Sequence, residues 1–107
     1  MQLGLIIETN EAERVWNAFR LANTALDAGH SVETFLLGDG VEASDLDHEK
    51  VNPHGMMLKD ANNDGALFAC GSCMDARDLE SNDLRPRSTM DDCLRLVEDA
   101  DKVLTIG

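Results

Sequence analysis

Cys70 and Cys73 form a CxxC in the stretch Leu67-Phe68-Ala69-Cys70-Gly71-Ser72-Cys73-Met74-Asp75-Ala76-Arg77. A short apolar run ends in the first cysteine, and a segment that can be helical begins near the second. Read as strand, tight turn and helix start, the stretch puts a thiol at the open end of a strand. Unpaired N–H groups and the helix dipole there favour negative charge, and the thiolate is the nucleophilic form of cysteine. Four readings fit the pair: a dithiol that cycles to a disulfide, half of a zinc site, one working nucleophile with an incidental neighbour, or two small buried residues. Zinc needs two more ligands. His54 and Cys93 are available but not at a finger spacing, so no metal is expected, and no cofactor. A thioredoxin-type pair usually follows the first strand of its unit; this one follows the third.

Other reactive side chains have plainer accounts. Cys93 lies mid-helix on an apolar face and reads as a small core residue. His48 and His54 sit in a polar loop, where a histidine is ordinarily solvated; either could serve Cys70 as a base if that loop folded over the strand ends. Arg77 could hold an anion near the thiol, although pairing with one of the many carboxylates explains it as well. Gly38-Asp39-Gly40 comes without a GxGxxG pattern or a P-loop lysine, so a nucleotide site is not expected.

The elements that must position these residues follow from periodicity. Met1–Ile7 is apolar and partly β-branched, as in a buried strand. Asn10 is placed to cap a helix from Glu11 to Ala28, with Glu13 completing a capping box. Val15, Phe19, Ala22 and Leu26 share one face of it, and Gly29 ends it. Ser31–Leu37 is a second strand. Val41–His54 reads as a loop with one short helical turn at most, and Gly55–Asn63 as a short helix. Ala66–Ala69 leads into Cys70 as the third strand. Asp78–Arg87, with Pro86, reads as a loop. Ser88 or Thr89 caps a last helix, on which Met90, Cys93, Leu94 and Val97 share a face. Lys102–Ile106 closes the chain as a fourth strand. The β-α-β-α-β-α-β alternation predicts an α/β three-layer sandwich with a mostly parallel sheet. Ligands in such sheets bind outside the C-terminal strand ends. Cys70, the Thr9–Asn10 turn and the Gly38–Gly40 turn should all lie there.

Composition bounds the function. The 107 residues suit one domain, 1–107, with a single core. The start of the chain lacks a basic region ahead of a long apolar stretch, and no run nears the roughly 20 apolar residues of a membrane span. A cytoplasmic protein is therefore expected. Nine Lys+Arg stand against 21 Asp+Glu, for a formal charge of −12, so direct nucleic-acid binding and anionic membranes are disfavoured. Three cysteines, an odd number, argue for reduced thiols rather than a disulfide framework.

The residues also carry a family likeness. The opening strand, the Ala-rich helix from Glu11 to Ala28, Phe35-Leu36-Leu37-Gly38-Asp39-Gly40-Val41, Phe68 to Arg77, and Ala100 to Gly107 together resemble the DsrE/DsrF-like sulfur-relay family. The resemblance implies a small α/β domain that forms a homo-oligomer (dimer, trimer or hexamer) and exchanges sulfur with donor and acceptor proteins. It implies an intracellular sulfur carrier, sulfurtransferase-like if active, that holds a persulfide on Cys70. Cys73 matches a second cysteine of a less-characterised branch, and Asp78 stands where a glycine often follows the arginine. The alternatives are a non-enzymatic oligomeric binding module and a Cys70/Cys73 dithiol–disulfide redox switch.

The acidic excess is spread along the whole chain, with lysine only at positions 50, 59 and 102. Such a surface suits a high-salt cytoplasm, where repulsion among like charges is screened. The melting temperature is accordingly expected to rise between low and molar salt. A salt-independent Tm over that range would overturn this expectation.

Overall fold

The computed structural model describes residues 1–107. Five strands, β1 (Gln2–Ile7), β2 (Ser31–Leu36), β3 (Ala66–Cys70), β4 (Arg87–Ser88) and β5 (Lys102–Ile106), form one sheet in the order β4-β3-β2-β1-β5. All pairings are parallel. The expected α/β sandwich is therefore present, with one strand more than periodicity predicted. A two-residue strand has no periodicity to detect, and Arg87–Ser88 lies at the end of the stretch expected to be loop.

α1 (Ala12–Asp27) and α2 (Pro53–Asn62) cross over between successive strands, as parallel pairing requires. α1 buries Val15, Ala18, Phe19 and Ala22. Its cap differs from the expected one: Glu11, not Asn10, accepts from the N–H groups of Glu13 and Arg14. A glutamate has the reach to fold back over the first turn, and its charge favours that helix end. Gly29, at φ +89°, ends α1 in the left-handed region that glycine enters without a Cβ clash. α2 starts two residues earlier than expected, because Asn52 caps the Gly55 N–H at 2.9 Å and Pro53 tolerates the first turn.

The stretch after β2 is more ordered than expected. Gly38–Asp45 forms a 3-10 segment that buries Gly40, Val41, Ala43 and Ser44. Gly40 has no room for a side chain, since a Cβ there would strike the Ile7 carbonyl. α4 (Met90–Asp99) starts at Thr89 with a reciprocal capping box to Asp92. It docks through Cys93 and Leu96, and Leu96 packs where a Cβ on Gly4 would come within 2.7 Å. The expected face is thus rotated: Met90, Leu94 and Val97 are exposed. No helix is long and apolar enough to cross a membrane.

One group sits uneasily in this core. Asp60 of α2 is fully buried, and neither carboxylate oxygen has a hydrogen-bond partner. Burial lifts its carboxyl to about 7, because a low-dielectric surrounding penalises the charged form. Well below pH 4 the group is protonated both folded and unfolded, and it adds no pH-dependent cost. As pH rises toward 7 the folded state keeps a proton that the unfolded chain has lost, so stability falls, and above 7 the whole cost remains. Asp60→Asn is expected to flatten that decline and to stabilise the protein at about pH 8 by up to about 4 kcal/mol. Urea unfolding of wild type and variant at both ends of the range measures it. Parallel pH profiles would overturn the assignment.

Candidate thiol site

Parallel β3 delivers Cys70 to the C-terminal edge of the sheet, and the chain turns at once into the short helix α3 (Gly71–Asp75). Cys70 caps that helix by position, but its side chain makes no capping hydrogen bond. Cys70 is buried and Cys73 half-buried, and both are free thiols. Both line an open cleft of about 530 Å³ with Gly71, Ser72, Arg87, Ser88, Thr89, Met90 and Asp92. The cleft joins two segments distant in sequence because β4 pairs with β3, setting Ser88 opposite Cys70 and Arg87 opposite Ala69.

Cys73 is held on two sides. Its sulfur accepts the Gly38 N–H at 3.2 Å. Burial pushes its thiol up, the neighbouring Cys70 side chain adds to this, and the Gly38 N–H acts the other way. Cys73 thus keeps its proton at neutral pH, on the same cleft wall as Cys70. Arg77 fixes the same corner. Its guanidinium donates to Asp39 at 2.7 Å, to Glu42 at 3.2 Å and to the Cys73 carbonyl at 3.1 Å. Of the two sequence readings of Arg77, carboxylate pairing is the one that the geometry supports.

Arg87 carries no sequence signal, since its place depends on β4. Asp75 of α3 takes it bidentately, with both bonds at 2.8 Å. The guanidinium lies flat against Gly71, where a Cβ would come within 2.9 Å of Arg87 Cζ. Asp75 is the main reason the Arg87 cation is held more firmly than usual, and the charge of Cys70 adds to it. The Asp75 carboxyl falls below its usual range through the same bond. Cys93 is in the core as expected, and also near enough to Cys70 for their charges to interact; burial is the first cause of its raised thiol. Neither His48 nor His54 lines the cleft. His48 Nδ1 accepts from the Lys50 N–H, and His54 Nδ1 lies 2.8 Å from the Ser44 carbonyl. Of the expected strand-end turns, Gly38–Gly40 reaches the site through Cys73 and Arg77; Thr9–Asn10 does not line it.

The DsrE/DsrF-like family model matches residues 1–106. The chain belongs to the DsrE/DsrF-like family. It is similar to the uncharacterized protein MJ0989 of Methanocaldococcus jannaschii, 36% identical over 99 residues that cover 87% of each chain. It is also similar to the uncharacterized protein MK0008 of Methanopyrus kandleri, 34% identical over 98 residues, 86% of this chain and 81% of the other. Among solved structures, a conserved protein of unknown function, BT1422 from Bacteroides thetaiotaomicron, superimposes with a TM-score of 0.76 at 17% identity. The superposition covers 98% of this chain and 94% of that one; at this identity it speaks for the fold alone.

The loop that carries Arg87 is anchored by Arg85, which is only 5% exposed. Arg85 donates to the carbonyls of Glu80 and Val41 and to Asp45, the last at 2.6 Å. Removing it strands those acceptors and frees the segment that forms β4. Arg85→Ala is expected to cost about 3 kcal/mol in urea unfolding and to raise amide exchange at Arg87 and Ser88. A loss under about 0.5 kcal/mol, the range of ordinary surface changes, would show that the loop is held otherwise.

Proposed function

We propose that this protein is an intracellular sulfur carrier, sulfurtransferase-like, with Cys70 as the site that holds sulfur. The observation that carries the reading is the placing of two free thiols on the wall of one open cleft. Membership of the DsrE/DsrF-like family agrees with it. The thiolate of Cys70 attacks the outer sulfur of a donor persulfide, the donor thiolate leaves with the bonding pair, and Cys70 is left as a persulfide. A partner thiolate then takes the outer sulfur and returns Cys70 to the thiolate. Alternatively Cys73 attacks the inner sulfur, releases hydrosulfide and leaves a Cys70–Cys73 disulfide for a thiol reductant to reopen. The presence of both thiols on one cleft opens this branch, and a dithiol–disulfide switch is its limiting form.

In this reading the carrier works in the cytoplasm as a homo-oligomer, exchanging sulfur with donor and acceptor proteins. The exposed apolar side chains Met90, Leu94 and Val97 of α4, and Val103 and Leu104 of β5, support association.

Incubation with cysteine persulfide, followed by mass spectrometry, is expected to show one added sulfur on Cys70 and none in Cys70→Ser. If Cys73 resolves the persulfide, the adduct on Cys73→Ser outlives the wild-type adduct by roughly tenfold or more, the usual gain of an intramolecular nucleophile. Absence of the adduct under conditions that load a known carrier overturns the reading. Equal lifetimes remove Cys73 from it.

A further inference from the structure

We propose that the cleft beside Cys70 accepts sulfur from a small anion of the S-sulfonate class, of which thiosulfate is the simplest, and that Arg87 selects that charge. This rests on Cys70 as the sulfur acceptor and names the class of donor.

The argument is one of charge and of vacant donors. At a net charge of −12 the protein as a whole repels dianions, so a dianion can dwell only where a cation is kept for it. Arg87 is the one lysine or arginine lining the cleft. The other paired cations are occupied elsewhere: Arg14 with Glu11, Lys59 with Asp27, Arg77 with Asp39 and Glu42, Arg85 with Asp45. Asp92, the one carboxylate on the cleft wall, is already neutralised. One of its oxygens accepts from the Thr89 N–H and hydroxyl, and the other takes Arg95 at 2.9 Å.

Arg87 is held but not saturated. Asp75 uses one N–H from each terminal nitrogen. A guanidinium has five N–H donors, and the other three have no partner in the protein. The pair is half in solvent, with side chains 53% and 64% exposed, so water and salt screen it and leave the cation able to share a second anion. Asp75 therefore acts as a positioning residue that lays the fork along Gly71. The Ser72 hydroxyl, also on the wall, donates to nothing else in the protein and supplies a further donor for an oxyanion.

In the step this permits, the free N–H groups of Arg87 hold the sulfonate oxygens while the sulfane sulfur faces Cys70. The Cys70 thiolate attacks that sulfur, and the S–S bond breaks. Sulfite leaves with the bonding pair, and Cys70 remains as a persulfide anion. Total charge is unchanged, and no oxidant or reductant is consumed. Negative charge gathers on the departing oxygens, where Arg87 is placed to hold it.

The test compares two donors on three proteins, with sulfur on Cys70 read by mass spectrometry and released sulfite measured separately. Thiosulfate carries the sulfonate; cysteine persulfide does not. Arg87→Gln is expected to lose about tenfold to a hundredfold in kcat/KM with thiosulfate, the worth of a charge-assisted contact. Its loading from cysteine persulfide, which feels only the loss of the Arg87 charge near Cys70, is expected to fall at least severalfold less. Arg87→Lys should recover part of the loss with thiosulfate, because it keeps the charge without the fork. Equal losses with both donors, or none with thiosulfate, would overturn the assignment of Arg87. If the wild type loads from cysteine persulfide but not from thiosulfate, the S-sulfonate class is wrong and the carrier reading stands. If it loads from neither, the carrier reading falls and this inference with it.

Discussion

The pairing of two residues, Arg87–Ser88, with the end of β3 is the constraint on which the thiol site depends. A ladder so short cannot hold itself, because it gains little for the chain entropy that it fixes. Its support comes from just upstream. Arg85 is buried and ties the loop to the 3-10 segment through Val41, Ser44 and Asp45, and the Pro86 carbonyl accepts the Ala69 N–H at 2.9 Å. Downstream, the Thr89–Asp92 capping box starts α4 at once. With both ends fixed, the short strand stays in register, and its side chains become the far wall of the cleft.

The 3-10 segment has a second duty. Through Gly38 it donates to the Cys73 sulfur, and through Asp39 and Glu42 it holds Arg77, which in turn holds the Cys73 carbonyl. Gly38 supports this from the left-handed region, at φ +55°, where a side chain would be strained. The same segment therefore steadies both walls: Arg85 on one side, and α3 on the other. Its buried residues Gly40, Val41, Ala43 and Ser44 explain why so polar a sequence does not behave as a free loop.

What was legible in the sequence was what repeats. β1, α1, β2, β3, α4 and β5 announce themselves by alternation, by a 3.6 period or by a cap, and the parallel sheet follows from their order. CxxC at a strand end was legible too, because thiol chemistry and strand–helix geometry are local. Features that depend on tertiary pairing were not. β4 has no period, Arg87 gains its meaning only opposite β3, and the 3-10 segment exists because Val41 and Ala43 are buried by neighbours remote in sequence. The rotated face of α4 is a subtler case. Met90, Leu94 and Val97 fit an apolar stripe, yet Gly4 leaves a hollow in the sheet for Leu96, and that hollow sets the helix rotation.

The two fates of sulfur on Cys70 make opposite demands on Cys73. As a bystander to relay, Cys73 gains from its present bonds: the Gly38 N–H fixes its sulfur, and burial with the Cys70 contact keeps it protonated. A protonated thiol is a poor nucleophile, so a persulfide on Cys70 is shielded from its neighbour. As a resolving thiol, Cys73 must lose that proton and turn its sulfur toward Cys70, giving up the Gly38 hydrogen bond. A disulfide also fixes sulfur geometry closely, whereas two neighbouring free thiols do not. Moving Cys73 would disturb the corner where Arg77, Asp39 and Glu42 meet α3. The ground state thus favours holding sulfur over releasing it by resolution. Loosening of the Gly38–Glu42 corner would shift that balance, because Gly38 makes the contact that restrains the Cys73 sulfur.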